Sequence, residues 1–203
     1  MGIAERKERE REELREKIIS AATALFLEHG IQGASIRMIA DKIEYSPATI
    51  YLHFKDKNEL FYVIMERAFK LFFQYFSSVG NIQDPMERLK ELGKVYLRFA
   101  AEHPLYYDLM FVIRAPMETP HTKDDWEDGQ RSHAVLTTTV QECIKKGYFK
   151  GHHPEPLSLA IWSAVHGLAT LWLRDRLTMY EEQEAEQLVY KALESFNTML
   201  EST

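Results

Sequence analysis

The sequence predicts an all-α protein of about nine helices, with a small three-helix domain over residues 1–57 and a larger helical domain over residues 58–203. Three observations support this fold class. Only 9 glycines and 7 prolines occur in 203 residues. Apolar residues recur three and four positions apart, which is the spacing of amphipathic helices. The breaks between these apolar segments are short, as they are in helical bundles.

The first helix is predicted from Leu14, where apolar residues begin to share one face, to Gly30, a typical residue at the C-terminal end of a helix. Residues 5–17 alternate in charge and form either a solvated extension of this helix or an arm that touches phosphates. Ser35 is a favourable N-cap and predicts a second, short helix. The buried face of that helix is expected to consist of Ile36, Ile39, Ala40 and Ile43.

A tight turn at residues 44–45 separates the second helix from the third. Ser46 is expected to cap the third helix and Pro47 to occupy its first position, where the missing N–H of proline costs nothing. This helix is predicted to run to about Phe54 and to bury Ile50 and Phe54.

The fourth and later helices are separated by clear breaks in the sequence. Asp56, with Glu59 three residues later, has the spacing of a capping box at the start of a long fourth helix. Later helices are predicted at about 85–101, 104–114, 124–146, 157–176 and 181–201.

Cysteine content, apolar runs and charge exclude several classes of protein. Cys143 is the only cysteine, which excludes an internal disulfide and a cysteine-based zinc finger, and its thiol is expected to be buried. No secretory signal and no apolar run approaching a membrane span are expected, so the protein is predicted to be cytoplasmic without membrane contact. The net charge of −6 lies entirely in residues 58–203. The neutral first domain is therefore compatible with DNA binding.

Residues 35–54 have the spacing of a helix-turn-helix, with two short helices joined by a turn of about three residues. Ile50 and Phe54 share one face of the second of these helices. The opposite face presents small uncharged side chains such as Ala48 and Thr49, which can approach base edges in the major groove. Hydroxyl, aromatic and basic side chains around that face are candidates for phosphate contacts. The predicted DNA-binding residues are Ser35, Arg37, Tyr45, Ser46, Pro47, Ala48, Thr49, Tyr51, Leu52, His53 and Lys57.

Several of these residues have more than one interpretation. Arg37 is compatible with a base contact, a phosphate contact or a solvated position. Tyr51 fits a phosphate contact or the edge of the core, and His53 fits a phosphate contact or a solvated flank. Lys57 also lies at the start of the fourth helix, where free backbone N–H groups attract anions.

The segment IRMIADKIEYSPATIYLHFKDKNEL resembles the DNA-binding signature of TetR-type transcriptional regulators. The matching features are Ile39-Ala40, Ser46, Tyr51, Phe54 and the run from Lys57 to Leu60. The resemblance covers about residues 12–65. In the later part of the chain, WSAVHGLATLW resembles a Trp-x-x-x-His-Gly helix of one branch of TetR C-terminal domains. The resemblance implies a three-helix DNA-reading head that leads into the fourth helix of a ligand-binding body.

The resemblance also implies a ligand cavity enclosed by the fourth to eighth helices. Aromatic residues are concentrated after residue 60 and exceed what one packing face of the fourth helix needs, although tight core packing would also use many of them. An aromatic lining suits a small apolar or aromatic effector, and no cofactor or metal is expected. The candidate ligand-binding residues are Phe69, Phe73, Phe76, Tyr96, Phe99, Tyr107, Met110, Phe111, Trp126, Trp162 and His166.

Wide apolar faces on the last two helices predict a homodimer with a four-helix contact across a two-fold axis. Packing of the same faces within one chain is the alternative. The candidate interface residues are Leu157, Ile161, Ala164, Leu168, Leu188, Ala192, Phe196 and Leu200.

The sequence thus predicts a ligand-responsive transcriptional regulator that binds double-stranded operator DNA as a homodimer. A repressor released from a palindromic operator by a small, largely apolar effector is the preferred interpretation. A small helical enzyme or an adaptor that does not bind DNA is the alternative. The eight histidines are dispersed, and no HExxH, Gly-rich phosphate loop or Gly-x-Ser-x-Gly occurs, so no catalytic residue is predicted.

Overall fold

The computed structural model describes residues 2–113 and 127–202, and these ranges contain nine helices and no strand. The predicted all-α fold class is therefore confirmed. The helices are α1 (Ile3–Gly33), α2 (Ile36–Lys42), α3 (Pro47–Tyr51), α4 (Lys57–Ser77), α5 (Pro85–Glu102), α6 (Pro104–Phe111), α7 (Glu127–Lys145), α8 (Pro154–Leu173) and α9 (Glu182–Glu201).

Helix α1 begins at Ile3, before the apolar face that starts at Leu14, so the charged segment forms the helical extension that was one of the two alternatives. Its opposite charges pair one turn apart, with 3.3 Å between Arg6 Nε and Glu10 Oε1. Such exposed pairs contribute little stability each, but they suit a solvated helical face. Gly30 has a φ of +68°, which interrupts the helical backbone as the sequence indicated. A short last turn then continues to Gly33.

The predicted N-caps of the two short helices are confirmed. Ser35 Oγ accepts the Met38 amide N–H at 3.2 Å, and Ser46 Oγ accepts the Thr49 amide N–H at 3.2 Å. The turn between the helices places Glu44 at a φ of 62°, in the left-handed region. Each cap satisfies a backbone donor that the first helical turn leaves free.

Helix α3 is shorter than predicted and ends at Tyr51. The amide N–H groups of His53 and Phe54 both donate to the carbonyl of Ile50, so the chain tightens into a turn after the helix. Ile50 and Phe54 are nonetheless buried as expected, at 0% and 1% exposure. On α2 only the central pair of the predicted face is buried. The two end residues, Ile36 and Ile43, are half-buried.

Helix α4 is capped by a variant of the predicted box. Asp56 Oδ1 accepts the amide N–H groups of Asn58 and Glu59, each at 2.9 Å. The carboxylate of Glu59 reaches back to the amide N–H of Lys55, one residue earlier than in the standard arrangement. The start of α4 is therefore fixed by both carboxylates.

The chain divides into two compact units. The first is Met1–Ala68 with Leu105–Asp125, and the second is Phe69–Pro104 with Trp126–Thr203. In the first unit, Phe26 and Phe61 meet edge to face with 6.0 Å between ring centroids. Helix α4 contributes residues to both units.

The second unit is built around α5, which packs against α7, α8 and α9. Gly93 permits this close packing, since a Cβ atom there would lie 3.0 Å from Leu193 Cδ1. Arg88 joins α5 to α7 through Thr139 Oγ1 at 3.2 Å and through an ion pair with Glu142. Cys143 on α7 is buried, and burial raises the pKa of its thiol to about 11.

One described helix, α8, has the length and composition of a membrane span. Residues 156–173 carry no Asp, Glu, Lys or Arg, and the apolar window of this helix has a mean hydropathy of 1.3. The expectation that no apolar run approaches the length of a membrane span is therefore wrong. A single such helix is weak evidence for a membrane, because core helices of other proteins meet the same criteria. Here α8 packs against α5, α7 and α9.

Candidate nucleic-acid interface and ligand cavity

The surface around α3 exposes large side chains. Leu52 is 77% exposed, Tyr51 is 56% exposed and Tyr45 is 43% exposed, while Pro47 and Ala48 are also exposed. These residues form the outward face opposite the buried Ile50. Neighbouring apolar and aromatic side chains left in solvent are typical of a binding surface.

The polar residues predicted for this surface divide into those that cap helices and those that do not. Ser35 and Ser46 are exposed but serve as N-caps. Thr49 is near the same cap, with its Oγ1 atom 3.0 Å from Ser46 Oγ. Arg37, in the first turn of α2, belongs to the same helix-turn-helix and is exposed. Ser46 and Thr49 thus hold each other in place at the start of α3.

Two arginines that were not predicted for this surface, Arg11 and Arg15, lie near the end of α3 together with Glu12. Burial, followed by the positive charges of Arg11 and Arg15, lowers the pKa of His53. The guanidinium of Arg15 also lies over the Phe54 ring, 4.6 Å from its centroid. Although the N-terminal segment has mixed charge, the helical spacing of Arg11 and Arg15 places both beside His53. Their separation of four residues could have indicated this, because residues four apart lie on the same face of a helix.

Lys57 has a structural role that differs from the phosphate contact expected of it. Its ammonium group donates to the carbonyl oxygens of Ile31, Gln32 and Ala34, at 2.8, 3.3 and 3.2 Å. Carbonyls at the end of a helix lack helical partners, so a lysine there stabilises them. An ammonium has three N–H donors, and all three have a carbonyl partner here. These partners lie 23 to 26 positions away in the chain, beyond the reach of local patterns.

The second unit contains a small cavity of about 30 Å³ between α4, α5, α7, α8 and α9, and this cavity opens to solvent. Three predicted ligand-binding residues line it: Phe76, Tyr96 and Trp162. Three residues predicted for the dimer contact line it as well: Ile161, Phe196 and Leu200. The remaining lining residues are Leu89, Leu92, Gly93, Leu136, Val165 and Asn197.

The polar groups at this cavity are uncharged. The hydroxyl of Tyr96 lies 3.0 Å from His166 Nδ1 and accepts the indole N–H of Trp162 at 3.2 Å. Burial lowers the pKa of His166, so its imidazole is neutral near pH 7. Asn197 on α9 is 8% exposed.

Apart from His166, which contacts Tyr96, the other predicted ligand residues lie elsewhere. Phe99 is buried against Phe72, with 4.9 Å between ring centroids, and Phe73 lies beneath Arg131. Phe69 is half-buried and packs over Gly129, where a Cβ atom would lie 3.0 Å from the ring. Tyr107, Met110 and Phe111 belong to the first unit, with Tyr107 buried and the other two half-buried. Trp126 lies outside the described residues.

The outer faces of α8 and α9 retain exposed apolar side chains. Leu159 is 55% exposed, Leu171 is 46% exposed and Met199 is 60% exposed. Of the predicted interface residues on these helices, Ile161 is buried, at 5% exposure. Most of the others are half-buried, including Leu157, Ala164, Leu168, Leu188 and Ala192.

Among the residues that the structure describes, no group of three His, Cys, Asp or Glu side chains is placed to hold a metal ion.

Two family profiles match this chain. The profile described as "Bacterial regulatory proteins, tetR family" matches residues 18–63, which contain α2, α3 and the start of α4. The profile described as "Tetracyclin repressor-like, C-terminal domain" matches residues 89–196. The first match covers the candidate nucleic-acid interface, and the second covers most of the cavity lining.

Individual proteins are also similar over nearly the whole chain. The "Probable acrEF/envCD operon repressor" of Escherichia coli K12 is 23% identical over 208 residues, covering 96% of this chain and 91% of its own. The structure of PfmR, a TetR family transcriptional regulator from Thermus thermophilus, has a TM-score of 0.69 at 21% identity, covering 88% of this chain and 95% of that one. FadR from Bacillus subtilis, solved with stearoyl-CoA, has a TM-score of 0.66 at 16% identity, covering 88% and 97%. These structural likenesses show the shared fold.

The two profiles together account for the helix-turn-helix and the helical body that the structure displays. The C-terminal match alone spans more than half of the 203 residues. The chain therefore belongs to the TetR family of bacterial regulatory proteins and is a ligand-responsive, DNA-binding transcriptional regulator.

Proposed function

We propose that this protein is a homodimeric repressor that binds a palindromic operator and is released from it by a small, largely apolar effector in the cytoplasm. Residues 1–57 bind DNA in this proposal, and residues 58–203 bind the effector and form the dimer. The main observation in support is that Tyr51 and Leu52, at the C-terminal end of the capped helix α3, are exposed to solvent.

The geometry of α3 suits entry into the major groove. Its inner side is anchored by Ile50, which is fully buried. Its outer side offers Ala48 and Leu52 to thymine methyl groups or sugar edges, and Tyr51 to a phosphate. Arg11 and Arg15 add positive charge beside its C-terminal end, where the DNA backbone would pass.

Exposed apolar side chains on α8 and α9 support the proposed dimer. Leu159, Leu171 and Met199 would leave water on association. A dimer is needed for a palindromic site, since each protomer then reads one half-site about 34–36 Å from the other.

The comparisons support repression and an apolar effector by analogy. The similar Escherichia coli protein is described as a probable operon repressor. The structural neighbour FadR was solved with stearoyl-CoA, a ligand with a long apolar chain. The cavity in this chain is mostly apolar, with aromatic walls from Phe76, Tyr96 and Trp162.

Fluorescence anisotropy with the DNA upstream of the protein's own gene tests the proposal. We expect saturable binding and a footprint with two symmetric half-sites. Tyr51→Phe should weaken binding to all sequences about equally, because a phosphate contact carries no sequence information. Weak, unsaturable binding to every duplex would instead favour an enzyme or an adaptor on the same fold.

A further inference from the structure

We propose that the cavity of the second unit selects an uncharged ligand with an apolar body and one hydrogen-bonding group, and that Asn197 recognises this group. The inference rests on the proposed function in treating this cavity as the effector site. It adds the chemical class of the effector and the residue that selects it.

The charge of the lining sets the first limit on the ligand. All twelve lining residues fall within the described parts of the chain, and none of them carries a charged side chain. His166, which holds the Tyr96 hydroxyl, is neutral near pH 7 because burial lowers its pKa. An ionised group that enters such a site loses its hydration and gains no opposite charge, so charged ligands bind poorly.

Asn197 supplies the polar contact. Its side chain is 8% exposed and lines the cavity. Over residues 2–113 and 127–202, its carboxamide forms no hydrogen bond with the protein. A carboxamide carries two N–H donors and an acceptor oxygen. These polar atoms are not among the fully buried, unpartnered side-chain atoms of the described residues, so they are accessible to a molecule in the cavity. A ligand that offers a carbonyl, amide or hydroxyl group would complete these bonds.

The other polar groups at the cavity differ from Asn197 because they are partnered with one another. The Tyr96 hydroxyl is bonded to Trp162 Nε1 and to His166 Nδ1, so this trio is a fixed wall of the site. The aromatic side chains of Phe76 and Phe196 form the apolar part of the cavity wall beside this trio. A slim or flat apolar body that widens this small cavity would lie between these walls, with its polar end directed at α9.

Three matched probes test the proposal by isothermal titration calorimetry on the full-length protein at pH 7.5. They are 3-phenylpropanamide, its carboxylate analogue 3-phenylpropanoate, and propylbenzene, which has no polar group. We expect the amide to bind at least about tenfold more tightly than the carboxylate, since the anion must lose its hydration without a counter-charge. Equal or tighter binding of the carboxylate, or no binding of any probe, would overturn the proposal.

Variants at α9 assign the selectivity to Asn197. Asn197→Leu replaces the carboxamide with an apolar side chain of similar size and should raise the Kd of the amide roughly three- to tenfold, as expected for one lost hydrogen bond. The Kd of propylbenzene should stay the same or fall. Thr198→Val, at the adjacent exposed position, is the control and should leave the Kd values of all three probes unchanged. An unchanged Kd of the amide in a folded Asn197→Leu protein would contradict the assignment.

Operator binding, measured separately on the same proteins, distinguishes the two proposals. If the amide binds as expected but no operator is bound, the proposed function fails while the ligand class stands. If the operator is bound but the carboxylate is preferred, the ligand class fails while the proposed function stands. Should Asn197→Leu not fold, the comparison of the three probes on the unmodified protein still decides the ligand class.

Discussion

Leu52 is a side chain whose exposure has no benefit for the folded domain alone. It is 77% exposed and lies directly after α3, next to Tyr51. An exposed leucine contributes little to folding, because its apolar surface remains in water. Its place beside the outward face of α3 is therefore better explained by a contact with DNA.

Leu52→Ala should leave the melting temperature within experimental error and weaken operator binding. The reason is that the substitution removes apolar surface that only the complex buries. Thermal denaturation and anisotropy titrations on the operator measure the two effects. Met179→Ala, which removes another exposed side chain outside the first unit, is the control and should change neither. A large loss of stability in Leu52→Ala with intact binding would contradict the orientation of α3.

Lys57→Met should destabilise the protein, because it removes an ammonium that holds three carbonyls near the end of α1. We expect a loss of about 1–3 kcal/mol in the free energy of unfolding, the usual range for hydrogen bonds to charged groups and for carbonyls left without partners. Lys55→Met, at a nearby exposed position, is the control in urea denaturation. The salt dependence of operator binding should be unchanged. A slope reduced by about one unit would instead restore a phosphate contact for Lys57.

His166 makes the stability of the second unit depend on pH. Burial lowers the pKa of this histidine, so the folded state binds its proton more weakly than the unfolded chain, where histidine titrates near pH 6.5. The free energy of unfolding should therefore fall as the pH drops from 7 through about 6.5 towards the lower folded pKa. His166→Gln should reduce this dependence in denaturation curves recorded between about pH 5 and 8. An identical dependence in the variant would show that other groups cause it.

At the scale of elements, the helix starts were predictable because capping is local. Ser35, Ser46 and Asp56 each bond to amides two or three residues ahead, so a short stretch of sequence contains all the information. The extent of α1 was harder to predict, since its first turns lack an apolar face and depend on charge pairs.

The contacts that the sequence did not predict join elements that lie far apart in the chain. Lys57 reaches carbonyls at the end of α1, and Asn197 on α9 meets the cavity beside residues of α5 and α8. The spacing of apolar residues within one helix does not indicate which residues of another helix it will contact. Phe76, Tyr96 and Trp162, which were predicted to bind the ligand, do line the cavity, but the sequence could not separate them from core residues such as Phe99.

The cap of α4 offers a test at this scale. Asp56→Ala should reduce the free energy of unfolding by about 0.5–2 kcal/mol, because two amide N–H groups at the start of α4 lose their acceptor. Asp56→Asn keeps a capping oxygen and should retain most of that stability. Urea denaturation of both variants measures the difference, and equal losses would show that charge, and not the hydrogen bonds, explains the effect.

At the scale of the whole molecule, the long helix α4 contributes residues to both compact units. A ligand in the second unit can influence operator binding only if it binds the DNA-free state more tightly than the DNA-bound state. The coupling between two such sites is usually about 1–3 kcal/mol and acts equally in both directions.

Operator DNA should therefore weaken the binding of 3-phenylpropanamide by the same factor by which this probe weakens operator binding. Titrating the probe with and without saturating operator, and the operator with and without saturating probe, measures both factors. Equal affinities with and without the other partner would show that the two sites are not coupled. The protein would then bind DNA regardless of whether a ligand occupies this cavity.

The burial of Cys143 has a practical consequence for observing these changes. It is the only cysteine in the chain, and its pKa of about 11 keeps it protonated and unreactive near neutral pH. A cysteine introduced at exposed Lys55 would therefore be the single site that accepts a thiol-reactive spin label. In a dimer, pulsed electron paramagnetic resonance would then measure the distance between the two labels, one on each DNA-binding domain. No native cysteine would have to be replaced first.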